Sequence, residues 1–217
     1  IGSAANDWGA TPDLPFWTTD VDGVLVAYVN LIDGEIKFRE NMDWANNYGD
    51  TGVDGTLDAT LAVNHVTTTG DEKQVGRVII GQIHAKDDEP VRLYYRKLPS
   101  NKYGAIYMAH EPLTGDEQWY NLIGSRASNA KDDPDGVLLD EVFSYRIHVD
   151  GDLLTVTIIR PGKADVVQEV DMSESGYNKS NQYMYFKAGV YNQNNTGDKT
   201  DYVQATFYQL ENSHKKR

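Results

Sequence analysis

The chain has 217 residues, a formal net charge of −13 at pH 7, 40% hydrophobic residues and no cysteine. These values exclude disulfides and thiolate metal sites, and they disfavour nucleic acid and anionic membranes as partners because the long-range field is negative. No apolar run approaches the roughly 18 residues needed to span a membrane. The length predicts one domain over residues 1–217, with loose termini at 1–15 and 212–217.

Short runs of alternating apolar and polar residues follow one another along the chain, separated by turn residues. Ten runs are predicted as strands: 24–31, 35–42, 56–66, 76–86, 91–98, 104–110, 143–149, 153–160, 183–193 and 203–210. No amphipathic helix longer than two turns is predicted, and 45–55 and 124–137 are predicted as loops. The pattern predicts an all-β fold, a sandwich of jelly-roll type with two stacked antiparallel sheets.

The run 76–86 is apolar except near its end, where Gln82 and His84 stand two residues apart. Side chains two apart on a strand project from the same face. Buried polar groups need partners, so the pair indicates either a functional site or a core histidine bonded to a neighbour. The run alone does not decide between them.

The run 183–193 separates into two faces of different character. One face is apolar and carries Phe186, Ala188 and Val190. The opposite face carries two phenols, an ammonium group, an amide and a bare glycine, from Tyr185, Lys187, Gly189, Tyr191 and Gln193. Glycine weakens a strand unless something must approach the backbone closely, and a sugar ring lying on this face is one such reason. A solvated outer face is the alternative.

The run 35–42 places charged side chains on one face, from Glu35, Lys37 and Arg39. A salt-bridged exposed strand explains this run by itself. Together, however, the three runs hold the groups that β-elimination of a uronate requires. Arginine and an amide neutralise the carboxylate beside the acidic C5 proton, while histidine and tyrosine serve as base and acid. This reaction requires no metal and no cofactor.

The segments Gln82-Ile83-His84 and 185–193 closely resemble the signature segments of alginate lyases of polysaccharide lyase family seven. The resemblance extends loosely from residue 22 to residue 210. It implies a β-jelly roll whose concave sheet forms the substrate groove, with alginate as substrate. It also implies that Gln82 helps to neutralise the carboxylate, that His84 and Tyr191 are the base and acid pair, and that Lys187 lines the groove.

A third motif of that family, Arg-x-Glu-x-Arg, is imperfect in this chain, which has Glu35, Lys37 and Arg39 at the matching positions. The motif can be aligned with Arg39 as its last arginine or as its first, and both alignments direct Arg39 toward the groove. Arg39 is therefore predicted as the carboxylate neutraliser. We further predict that Lys37, Tyr185 and Gln193 bind substrate. The altered motif leaves another polyuronate, such as glucuronan, open as substrate. In the family, isoleucine at the position of Ile83 is associated with guluronate-containing blocks.

Two other classes of protein share this type of scaffold. A non-catalytic carbohydrate-binding module would bind alginate without product, because it has no need for an acid and base pair. A glycoside hydrolase would need two carboxylates roughly 5–9.5 Å apart across the groove, and Glu35 is the one carboxylate predicted on a groove strand. The sequence favours the lyase, and we expect a secreted monomer that acts on an anionic polysaccharide without a metal or cofactor.

Overall fold

The computed structural model describes residues 2–3, 17–18, 25–26, 36–37, 55–86, 88–178 and 184–214. The chain divides into two compact units, Ile1–Asn46 and Asn47–Arg217. In the first unit, β1 (Gly2–Ser3) pairs with β4 (Ile36–Lys37), and β2 (Trp17–Thr18) pairs with β3 (Leu25–Val26). Both pairs are antiparallel. The prediction of one catalytic domain over 1–217 stays a prediction.

The second unit consists of two five-stranded antiparallel sheets. We call them the back sheet, in the order β12-β11-β10-β5-β14, and the front sheet, in the order β13-β6-β7-β8-β9. The strands are β5 (Gly55–His65), β6 (Arg77–His84), β7 (Val91–Arg96), β8 (Ala105–His110), β9 (Gln118–Ile123), β10 (Phe143–Asp150), β11 (Leu153–Ile159), β12 (Val166–Asp171), β13 (Tyr185–Asn192) and β14 (Gln204–His214).

The two sheets enclose one hydrophobic core, as expected for a sandwich in which each sheet buries one face. Its largest fully buried side chains include Tyr95, Phe143, Tyr145 and Ile80. The buried phenols keep hydrogen-bond partners: Tyr95 donates to the carbonyl of Val137 at 3.0 Å, and Tyr145 donates to the carbonyl of Ile80 at 2.8 Å. The predicted all-β jelly roll is confirmed, and none of the described residues is helical. No described helix is therefore long and apolar enough to cross a bilayer.

The eight strands predicted from residue 56 onward are all present, but β9 and β12 were not predicted. Their sequences, QWYNLI and VVQEVD, do not alternate between apolar and polar residues, so the period-two pattern that predicts a strand is missing. Strand β14 continues to His214 and pairs with β5 there. Residues 212–214 are thus part of the sheet and not of the loose terminus predicted from the sequence.

The loop 124–137 is attached to the end of the front sheet at several points. The buried Arg96 donates to the carbonyls of Arg126 at 2.7 Å and Val75 at 3.3 Å. The backbone of Gly104 bonds Val137 in both directions. The loop is therefore a braced part of the fold. The other predicted loop, 45–55, lies almost wholly outside the described residues.

Acidification is expected to destabilise the fold partly through His110, at the end of β8. Its Nδ1 donates to the carbonyl of Pro90 at 2.7 Å, and the hydroxyl of Ser175 donates to its Nε2 at 2.6 Å. This neutral ring is fully satisfied, and burial lowers the pKa of His110 below its ordinary value, against a smaller opposing effect of the Pro90 carbonyl. The unfolded chain consequently binds the proton more tightly. The contribution of His110 to stability is complete above about pH 6.5, the ordinary pKa that the ring has in the unfolded chain. It is lost as the pH falls below this value toward the lower pKa of the folded state.

Urea unfolding at pH 7 and below pH 6 measures this effect. The loss of stability on acidification should be smaller in His110→Gln, which keeps a donor and an acceptor but does not titrate. Equal losses of stability in the wild type and the variant would show that the titration of His110 does not contribute to the acid sensitivity of the fold.

Candidate active site

A β-bulge in β6 aims Gln82 and His84 to the outside of the sandwich. The pairing of β6 with β7 shifts between Ile79 and Gly81, because Ile80 and Gly81 both face the core. Beyond the bulge, Gln82 and His84 lie on the outward face of the front sheet together with Ile79. We call this outward face the site face. The prediction that Gln82 and His84 share one face is confirmed.

Tyr145 of the back sheet packs against this bulge from inside the core. Its hydroxyl bonds the Ile80 carbonyl, and a Cβ placed on Gly81 would lie 2.7 Å from that hydroxyl oxygen. Gly81 is therefore required by the close approach of the Tyr145 ring. The packing fixes the point at which β6 reverses its alternation.

Three polar side chains form a row across the middle of the site face. Gln82 pairs with Lys187 of β13 on one side and with Arg92 of β7 on the other. Gln82 is only 4% exposed, so its amide is largely shielded from bulk solvent. A shielded amide donor next to a lysine position suits a carboxylate group.

His84 occupies the next position along β6 and is held on several sides. Its Nδ1 donates to the carbonyl of Ala85. Its ring stacks on Tyr185 of β13, with centroids 5.2 Å apart and planes 18° apart. Its Nε2 lies 3.4 Å from a carboxylate oxygen of Glu89. The Lys187 ammonium lies 5.5 Å from the centroid of the same Tyr185 ring.

Tyr191 lies on the same face but further along β13. It pairs with Ile79, whereas Tyr185 pairs with His84. Tyr191 is six positions after Tyr185, about 20 Å of extended strand at most, and the strand is shortened by a bulge at Gly189. Gly189 has a φ of +151°, a backbone conformation that favours glycine. The side chain of Tyr191 is exposed (47%), so its phenol is accessible from solvent.

The predicted faces of β13 are confirmed, since Phe186, Ala188 and Val190 pack against the core. Gln193 follows the strand, and its backbone N–H donates to the Arg77 carbonyl at 3.1 Å. Lys37 belongs to β4 of the first unit, but its side chain lies outside the description. Arg39 lies outside the described residues entirely, so its role stays a prediction.

Arg92 and the carboxylates around it were not singled out from the sequence. The guanidinium contacts Glu117, lies 3.3 Å from Glu111 and 3.8 Å from Glu89. Leu93 packs in the core, so the alternation of side chains along a strand could have placed Arg92 on the outward face. Glu89 stands three residues before Arg92, but Glu111 and Glu117 come from the segment between β8 and β9, and no spacing in the sequence joins these two to Arg92.

The part of the site face on β7, β8 and β9 is aromatic and cationic. Tyr94 and Tyr107 stack with centroids 4.8 Å apart, and Trp119 lies at an angle against both. Arg77 lies over the Tyr94 ring at 5.7 Å and Arg126 over the Trp119 ring at 4.5 Å. Cations held on aromatic faces give this region local positive charge in a protein of net charge −13.

The second unit is a two-sheet β-sandwich that carries polar, aromatic and cationic side chains on one outward face. A family model described as alginate lyase matches residues 34–214. An alginate lyase of Klebsiella pneumoniae is 60% identical over 172 residues, which cover 75% of this chain and 56% of that protein. A crystal structure of the alginate lyase from Klebsiella pneumoniae superposes with a TM-score of 0.74 at 59% identity, covering 76% of this chain and 61% of that one.

The fold is shared with more distant structures as well. An alginate lyase assigned to polysaccharide lyase family 7 is 23% identical and superposes with a TM-score of 0.62, over 98% of this chain and 88% of that one. The family model that matches residues 34–214 and the 60% identity to the Klebsiella relative show that the chain belongs to the alginate lyase family. It spans 56% of the length of the Klebsiella relative.

Proposed function

We propose that this protein cleaves alginate by β-elimination. The observation that carries the proposal is the pairing of Lys187 with Gln82 on one face, with His84 stacked on Tyr185 at the next position. This arrangement stands in a chain of the alginate lyase family. Secretion and a monomeric state are part of the same proposal.

In the proposed reaction, Arg39 and Gln82 neutralise the carboxylate at C5, which makes the C5 proton easier to remove. A base takes that proton, and its bonding electrons form the C4–C5 double bond. The C4–O4 bond breaks, and the oxygen remains on C1 of the neighbouring sugar as a new reducing end. The acid protonates this oxygen. His84 and Tyr191 are the base and acid pair, and no water is consumed.

Electrostatics supports an anionic polymer as ligand despite the acidic composition. Lys187, Arg77 and Arg126 are the cationic groups expected to attract uronate carboxylates, because Arg92 is neutralised by its three acidic neighbours. Tyr185, Lys187 and Gln193 on the site face, together with Lys37, are proposed to bind successive sugars. Local positive charge of this kind concentrates an anionic substrate even on an acidic protein.

The test is the product profile on defined polymannuronate, polyguluronate, mixed alginate and glucuronan. We expect ultraviolet-absorbing unsaturated oligouronides from at least one alginate substrate, with guluronate-containing blocks favoured. Cleavage of glucuronan and of no alginate substrate would show that the protein is a lyase of another polyuronate. Saturable alginate binding without product would instead define a binding module.

A further inference from the structure

Glu89 sits where it can control the protonation of His84. It follows the tight turn between β6 and β7, in which the Ala85 N–H donates to the carbonyl of Asp88 at 2.8 Å. This turn reverses the chain and brings the Glu89 carboxylate back to His84, five residues earlier. The Glu89 side chain is only 19% exposed, so the contact is shielded from bulk solvent.

The hydrogen bonds of His84 determine where its protons lie. A carbonyl oxygen only accepts, so the contact with Ala85 requires a hydrogen on Nδ1. Nε2 then faces the Glu89 oxygen at 3.4 Å. A lone pair on Nε2 facing an ionised carboxylate oxygen would be repulsive. The contact is favourable when one proton lies between the two groups, either on the imidazole or on the carboxyl.

We propose that Glu89 is a positioning residue for His84, and that the two side chains hold one shared proton. The pair keeps the imidazole in one tautomer and one orientation, with Tyr185 stacked on the ring. It also sets the pH at which His84 gives up the proton. The consequence for catalysis rests on the proposed lyase function, whereas the shared proton does not.

Charged groups on every neighbouring element act on this pair. Burial raises the pKa of Glu89, Arg92 on β7 lowers it, Glu111 beyond β8 raises it, and Lys187 on β13 lowers it slightly. Two further groups lie near these carboxylates: Glu117 binds the other side of Arg92, and the Tyr177 hydroxyl bonds the Glu111 backbone. The net effect is a raised pKa for Glu89, which favours retention of the proton by the pair.

The test is an NMR titration of the His84 ring in the wild type and in Glu89→Gln. The glutamine amide is isosteric with the carboxyl and can donate to Nε2, but it carries no titratable group. Because the pair titrates as a unit, we expect the His84 midpoint to fall in the variant by about one pH unit, a tenfold loss of proton affinity. The kcat/KM profile should shift in the same direction, with KM nearly unchanged.

Asp88→Asn is the matched control, since it removes one charge from the same turn; its His84 midpoint should stay at the wild-type value. Glu89→Asp, which retains a carboxylate on a shorter stem, should recover part of the shift. Identical midpoints in the wild type and Glu89→Gln would overturn the proposal. The wild type alone can also overturn the proposal. It would do so if His84 titrated near the ordinary pH of 6.5 and the signal of the Glu89 carboxyl did not change over the same pH range.

These titrations need no substrate, so the two proposals fail separately. If the wild type cleaves alginate and the His84 midpoint is unshifted in Glu89→Gln, the proposed role of Glu89 is wrong and the proposed lyase function stands. If the midpoint is shifted in Glu89→Gln but the wild type cleaves no polyuronate, the lyase function is wrong and the shared proton stands.

Discussion

Replacement of Tyr191 with phenylalanine is expected to stop alginate cleavage while leaving alginate binding nearly unchanged. The variant keeps the ring, the exposed position beside Ile79 and the strand pairing, and it loses only the hydroxyl that transfers a proton. Loss of one acid or base group costs about 10²–10⁴-fold in rate. The effect should appear in kcat and not in KM, because the phenolic proton moves only during the chemical step.

Two other tyrosines provide controls for this experiment. Tyr208→Phe, on the back sheet and also exposed (52%), should retain full activity. Tyr185→Phe tests the ring that stacks on His84, and it should raise KM with little change in kcat. If Tyr185→Phe is inactive and Tyr191→Phe is active, the catalytic phenol is Tyr185. If both variants are fully active, the proposed acid and base pair is wrong.

Gly81→Ala is expected to damage both stability and activity, although residue 81 faces the core. The new methyl group would lie 2.7 Å from the hydroxyl oxygen of Tyr145 and 2.8 Å from the carbon that bears it. Such overpacking costs about 1–3 kcal/mol. Because the bulge determines where Gln82 and His84 point, a displacement of about 1 Å there would lower the rate about a hundredfold. Thermal unfolding and kcat/KM measure the two effects.

A double-mutant comparison separates the clash from other consequences of the substitution. Tyr145→Phe removes the hydroxyl but leaves the ring carbon, so Gly81→Ala should remain impaired in that background. Tyr145→Leu removes the ring and should relieve much of the clash. Full activity of Gly81→Ala in the wild-type background would show that the Tyr145 contact does not position the site.

Much of the fold could be predicted from residue patterns because the central strands alternate strictly. The faces of 183–193 follow directly from period-two geometry, and the pairing of Lys187 with Gln82 confirms that the two motifs meet. Strands β9 and β12 escaped prediction because their sequences, QWYNLI and VVQEVD, do not alternate between apolar and polar residues. The membership of the chain in the alginate lyase family confirms the resemblance found in its motifs.

Other features of the site could not be predicted because they depend on long-range contacts. The reversal of alternation at Ile80 and Gly81 depends on Tyr145, 64 residues further along the chain than Gly81. Glu111 and Glu117 reach Arg92 from the segment between β8 and β9, and such tertiary contacts are not contained in local patterns. Glu89 lies only five residues from His84, but its contact depends on the shape of the turn between them and not on strand alternation.

The measurement that tests the central claim most directly is alginate cleavage in water enriched in the heavy oxygen isotope, followed by mass spectrometry. An uncleaved oligouronide kept in the same water corrects for exchange at the reducing end. Elimination consumes no water, so we predict products without incorporated label and one C4–C5 double bond per cleavage, at the new non-reducing end. One labelled oxygen per cleavage, with saturated products, would show hydrolysis and contradict the assignment of Gln82, His84 and Tyr191 to a lyase site.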